Sequence, residues 1–190
     1  MSSLTTSSIA STTNPMTSAV TSPIASPVAS PVTSPGASPG ASPGASPGAS
    51  LYAVEVRDRI MIAHSLPDPF FGPAQNLHGA SLIVDVAFFC EELGAKNVVV
   101  DIGAAGDVLK ATLQPLAYQN LDALEQFKGK LTTTEYLCRY IFDAIARAAS
   151  AGALGEEGRR LTKVRVTLQE TDVARAAFEG PLPAPAGERA

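Results

Sequence analysis

The chain has 190 residues, a formal net charge of −4, and charged side chains at 17% of its positions. This mildly acidic balance argues against a nucleic-acid partner, which would select for a basic face, and no apolar run approaches the roughly 20 residues of a membrane span. The two cysteines, Cys90 and Cys138, fit no metal or redox spacing. We therefore expect reduced thiols, a cytoplasmic protein, and no nucleic acid or membrane as partner.

Residues 1–50 form a low-complexity segment without a single Asp, Glu, Lys or Arg. From Ser22 onward it repeats every four residues, in "SPIASPVASPVTSPGASPGASPGASPGAS", so that seven prolines recur between Pro23 and Pro47. Proline removes backbone donors, and Ser, Gly and Ala offer little apolar surface to offset the entropy of ordering. We predict a disordered arm over 1–50, a folded domain over 51–180 and a disordered tail over 181–190. A non-functional extension is favoured over a flexible tether.

Two long strands are predicted at the start of the domain. In "LYAVEVRDRIMIAHSL", apolar and charged residues alternate with His64 on the apolar face, and a second strand begins at Leu77 after a Pro- and Gly-rich loop. If these strands form a hairpin, His64 and His78 become cross-strand neighbours about 5 Å apart at Cβ. Ala80 lies on the same face, where a histidine would complete a three-ligand zinc site. The two histidines alone leave open a metal site or an ordinary hydrogen-bonded pair.

Two helices and two further strands follow. "VVVDIG" leads into a helix that ends near Pro115, and a second helix is predicted at "TTTE", where Thr132 and Glu135 have capping-box spacing. The strands "LTKVRVTLQET" and "VARAAFEG" complete the domain. This order predicts an α+β fold, an antiparallel four-stranded sheet with two helices on one face. Its open edge strands favour a homo-oligomer.

Glu170 continues the apolar face of the third predicted strand after Val164, Val166 and Leu168. A carboxylate is costly on such a face unless a partner donates to it. One candidate partner is a ligand with two adjacent donors, which matches the two oxygens of a carboxylate. The other is an arginine of a neighbouring chain. We favour the ligand, because "TTTE" is expected to provide a second polar cluster nearby.

In order and spacing these motifs resemble the 6-pyruvoyl-tetrahydropterin synthase and 6-carboxytetrahydropterin synthase family, members of the ββααββ tunnelling fold. The resemblance covers about residues 52–178. "IMIAHSL" and "NLHGAS" are similar to the two zinc-ligand segments of the family, which implies that His64 and His78 bind zinc and that Ala80 replaces the third ligand. "VTLQET" is similar to the pterin-anchoring strand.

The resemblance also implies a substrate and an assembly. By it, Glu170 binds the 2-amino and N3 edge of a pterin, with Thr133 and Thr134 assisting. It further implies a lyase that acts on a pterin of the dihydroneopterin triphosphate class with zinc as cofactor. The implied partner is the chain itself, in a hexamer of two stacked trimers whose sheets close into a β-barrel.

The chain departs from the family at the positions that handle protons. Ala74 stands where the family has a catalytic cysteine, and "LAYQN" places Ala117 and Tyr118 where it has an Asp-His pair. These changes suggest altered lyase chemistry, with Tyr118 or a nearby carboxylate as the acid. The alternatives are a catalytically inactive module that binds a pterin or purine, and a purely structural oligomer.

Overall fold

The computed structural model describes residues 50–182. Nearly all of the predicted arm and tail therefore lies outside the described residues. Six main elements follow one another along the chain: β1 (Tyr52–His64), β2 (His78–Cys90), α1 (Ile102–Leu113), α2 (Thr134–Ser150), β3 (Lys163–Gln169) and β4 (Arg175–Pro181). The loop between β1 and β2 contains short 3-10 turns over Pro69–Gln75.

The four strands form one antiparallel sheet in the order β1-β2-β3-β4. Both helices pack against the same face of it, α1 on β1 and α2 on β3 and β4. The predicted α+β fold class is therefore confirmed. The predicted hairpin is also confirmed, since β1 and β2 pair over their whole length with His64 directly opposite His78.

The core lies between the sheet and the two helices. β2 contributes most to it because it has neighbours on both sides, and Val84, Val86 and Phe88 are completely buried. The helices add Leu109, Leu137 and Ile141 at helical spacing. Within residues 50–182 there is no helix long and apolar enough to cross a bilayer.

The start of α2 differs from the prediction by one residue. Thr133, not Thr132, is the N-cap, and its hydroxyl accepts a hydrogen bond of 3.2 Å from the backbone N–H of Tyr136. Thr132 is 1% exposed and points to His64 instead. The capping box of Thr132 with Glu135 was therefore wrong, because a tertiary contact removes Thr132 from the helix end. β2 likewise begins at His78 rather than Leu77.

Candidate functional site

The two histidines lie side by side at the end of the β1–β2 hairpin. Their ring centroids are 4.6 Å apart and the ring planes are inclined by 53°. His64 is buried, with 4% of its surface exposed, whereas His78 is half-buried. The cross-strand register places both side chains on the face that carries the core. The sequence-predicted pair is thus brought together by strand pairing alone.

Backbone carbonyls determine which nitrogen of each ring carries the proton. Nδ1 of His64 lies 3.0 Å from the carbonyl oxygen of Thr132, and Nδ1 of His78 lies 2.9 Å from that of Asn76. A carbonyl oxygen only accepts, so each Nδ1 must donate. Each Nε2 is then left with a free lone pair. Nε2 of His64 is buried and has no hydrogen-bond partner in the described part of the chain.

The environment of His64 keeps its ring neutral near pH 7. Burial lowers the pKa of His64, and the neighbouring His78 lowers it further. The hydrogen bond to Thr132 and the carboxylates of Glu170 and Asp122 act in the opposite direction without reversing the shift. A neutral imidazole is the form that accepts a hydrogen bond or binds a metal ion.

Glu170 follows directly after β3, in the turn that leads to β4. Its backbone N–H donates to the carbonyl of Ala174 at 3.2 Å, and its Oε2 accepts a hydrogen bond of 2.8 Å from the hydroxyl of Thr134. We expected a poorly solvated carboxylate here, and that was wrong: the strand ends at Gln169 and Glu170 is exposed. It lines a cavity of about 180 Å³ together with Thr134 and Arg175.

One atom from each of His64, His78 and Glu170 forms a compact donor cluster, with all three atoms within 4.8 Å of one another. Two imidazole nitrogens and one carboxylate oxygen are a donor set that zinc accepts. The buried, unpartnered Nε2 of His64 fits such an ion, because a metal would satisfy it. Ala80 lies opposite Ile62 on the same face of the hairpin and offers no ligand atom.

The remaining predicted site residues lie around this cluster in different roles. Thr134 contacts Glu170 directly, whereas the hydroxyl of Thr133 is occupied at the helix end. Tyr118 is 80% exposed and is not drawn into the cluster by any hydrogen bond within residues 50–182. Its backbone has a φ of 60°, which is unusual for a tyrosine, and its N–H donates to the carbonyl of Met61 at 2.6 Å.

Comparison with known proteins identifies the family of this chain. The family model described as 6-pyruvoyl tetrahydropterin synthase matches residues 53–181. The chain belongs to this family. Its members are lyases that act on pterins, so the synthase resemblance noted from the motifs is confirmed. A comparison with curated proteins gives no match.

Solved structures of 6-pyruvoyl tetrahydropterin synthases share the fold at low sequence identity. The Caenorhabditis elegans structure is 22% identical, with a TM-score of 0.57 over 69% of this chain and 96% of its own. The Plasmodium falciparum structure is 14% identical, with a TM-score of 0.57 over 70% of this chain and 99% of its own. The Plasmodium vivax structure is 13% identical, with the same TM-score and the same coverage of both chains.

Two features of this candidate site in the synthase-family chain were missed by the sequence reasoning. Thr132 orients His64, yet its sequence position suggested only a helix cap. Asp122 accepts a hydrogen bond of 2.7 Å from Ser65, the residue after His64, and acts electrostatically on that histidine. Asp122 lies in a 3-10 helix of only three residues, Leu121–Ala123, which is too short to leave a periodic signal in the sequence. The contact between Asp122 and Ser65, which are 57 positions apart in the chain, becomes visible only in the fold.

The two cysteines lie outside the donor cluster of His64, His78 and Glu170. Cys90 and Cys138 are both completely buried, and burial raises the pKa of Cys138 to about 11 and raises that of Cys90 as well. At pH 8 only about one Cys138 thiol in a thousand would then be a thiolate. We expect a disulfide reagent such as DTNB to detect almost no thiol in the native chain and two after denaturation. Rapid reaction of one native thiol would contradict this.

Proposed function

We propose that this chain binds a dihydropterin of the dihydroneopterin triphosphate class and processes it as a lyase of the 6-pyruvoyl- or 6-carboxytetrahydropterin synthase type, with altered proton-handling residues. The family supplies the reaction class. The finer statement depends on the chain's own residues. Its principal support is that the ring-anchoring carboxylate and the two histidines expected to bind zinc share one site.

Glu170 is the proposed anchor for the pterin ring. Thr134 donates to Oε2 and thereby restricts the carboxylate at the rim of the cavity. A pterin offers its 2-amino group and N3–H side by side, which suits paired hydrogen bonds to one carboxylate. Thr133 stabilises the start of α2 beside this contact. Its proposed contribution to pterin binding is therefore indirect, because it holds the helix end in place and does not contact the ring.

His64 and His78 are the proposed zinc ligands, each through the Nε2 atom that its backbone hydrogen bond leaves free. A bound zinc would polarise a substrate oxygen as a Lewis acid. Tyr118 is the proposed acid. Its left-handed backbone conformation costs about 1–2 kcal/mol, and strain of this kind is found preferentially at functional positions.

Titration of the untagged full-length protein with neopterin, followed by pterin fluorescence, tests the binding step. Incubation with dihydroneopterin triphosphate and chromatographic product analysis then tests turnover. We expect saturable binding and release of triphosphate. Absence of neopterin binding would contradict the proposal at its first step.

A binding module without turnover is the second candidate. It is favoured by Ala74 and Ala117, which stand at two positions where the resemblance implies proton-handling groups. Saturable neopterin binding together with an unchanged dihydroneopterin triphosphate sample would select this candidate over the lyase.

We further propose that the chain works as a homo-oligomer in the cytoplasm, where its two free thiols would remain reduced. Residues 118–120 cover one end of the outer edge of β1, but no described strand pairs with the outer edge of β4. Exposed edges are normally paired or covered. We expect light scattering at micromolar concentration to give the mass of a hexamer. A monomeric mass would contradict the assembly.

A further inference from the structure

We propose that Glu170 replaces the missing histidine of position 80 as the third metal ligand, so that a divalent metal and a pterin compete for this one carboxylate. The metal half depends only on the donor cluster. The competition half rests on the proposed function, because it requires that Glu170 also binds the pterin ring.

The metal half follows from what each donor has available. The two Nδ1 atoms donate to the carbonyls of Thr132 and Asn76, the arrangement that commonly orients a metal-bound histidine. The Nε2 atoms therefore remain for a metal. Glu170 brings a carboxylate oxygen within 4.8 Å of one ring nitrogen of each histidine, and the single hydrogen bond from Thr134 leaves lone pairs of the carboxylate available to a metal.

The second observation is the state of His64 itself. Only 4% of the surface of His64 is exposed, and its Nε2 has no hydrogen-bond partner among the described residues. Buried polar atoms are nearly always satisfied, so an unsatisfied one calls for a ligand. A zinc ion held by two imidazoles and a carboxylate, with a fourth position open, would satisfy this atom in the manner of a catalytic site.

The competition half follows from the lone pairs and the negative charge of Glu170, which a metal and a pterin would share. Oε2 already accepts a hydrogen bond from Thr134. If one oxygen also binds zinc, the metal takes up a lone pair and withdraws negative charge from the carboxylate, which weakens its paired hydrogen bonds to the 2-amino group and N3–H of a pterin. Metal and pterin binding are then antagonistic but not mutually exclusive, so that zinc and substrate can still be bound together at reduced affinity. By linkage, each must weaken the other by the same factor.

The metal half is tested with zinc alone. Full-length protein, freed of metal with EDTA, is titrated with zinc against a chromophoric chelator, as wild type, Glu170→Gln and Asp172→Asn. Asp172 is an exposed carboxylate in the same turn and serves as the matched control. We expect Glu170→Gln to lose zinc affinity by at least about tenfold, since even outer-shell changes cost that much, and Asp172→Asn to behave as wild type. Equal zinc affinity of wild type and Glu170→Gln would overturn the assignment.

The competition half is tested with neopterin titrated into the metal-free and the zinc-saturated wild type. We expect weaker neopterin binding to the zinc-loaded protein, and weaker zinc binding in saturating neopterin by the same factor. Equal neopterin affinity for the two forms would overturn the competition. No neopterin binding to either form would overturn the proposed function and the competition together, while the zinc titrations would still decide the role of Glu170.

Discussion

Replacing Glu170 with glutamine is expected to weaken neopterin binding by roughly tenfold to several hundredfold. The variant keeps the shape of the side chain but turns one acceptor into a donor that faces a donor of the pterin. Hydrogen bonds to a charged group contribute about 1.5–3 kcal/mol each, and one of them is lost. Because Glu170 is exposed, water competes for it, and we expect the lower part of this range.

The measurement is a fluorescence titration of metal-free protein, so that zinc does not mask the carboxylate. Asp172→Asn again provides the control, since it makes the same change of charge two residues further along the turn. Neopterin affinity that is the same in wild type and Glu170→Gln would refute the role of this carboxylate. A loss of equal size in Asp172→Asn would assign the effect to net charge rather than to a direct contact.

Replacing Ala80 with histidine is expected to tighten zinc binding by at least about tenfold, because it adds a ligand to a site that has His64 and His78 already oriented. Position 80 is two residues from His78 along β2, so the new side chain projects on the same face. Ala80 is partly buried against the core, and a thermal melt should accompany the titration to show that the larger side chain is tolerated.

Ser81→His is the matched control for this variant. Ser81 is exposed and projects from the opposite face of β2, so its histidine would not reach the site. Ala80→His should also relieve the antagonism between zinc and neopterin, since Glu170 is no longer required as a ligand. Equal tightening in Ala80→His and Ser81→His would show that the added histidine acts nonspecifically, and would contradict the predicted geometry.

The sequence was sufficient to predict the strands of the hairpin and the position of His64 opposite His78. Strand periodicity is strict, and the equal lengths of β1 and β2 around a Pro- and Gly-rich loop left His64 and His78 opposite each other. At Glu170 the same periodicity led to a wrong prediction, that of a poorly solvated carboxylate on the apolar face of β3. The alternation of β3 extends to this residue in the sequence, but the chain turns after Gln169 and leaves the carboxylate in solvent.

The hydrogen bonds made by the threonines at the start of α2 could not be predicted from the sequence. Thr132, Thr133 and Thr134 are consecutive and chemically identical, so capping rules cannot distinguish between them. A contact with His64, which precedes Thr132 by 68 positions, decides which one is buried. The proximity of Glu170 to the histidines has the same origin, because it depends on how β3 and α2 approach the end of the hairpin.

These three threonines have three separate tasks: Thr132 holds His64, Thr133 holds the first turn of α2, and Thr134 holds Glu170. Each task depends on a different direction of the side chain from consecutive backbone positions. A single-residue insertion or deletion in this segment would therefore misalign all three contacts at once, whereas a point substitution disturbs one. We therefore expect homologous chains that keep these contacts to show no length variation between Leu131 and Glu135.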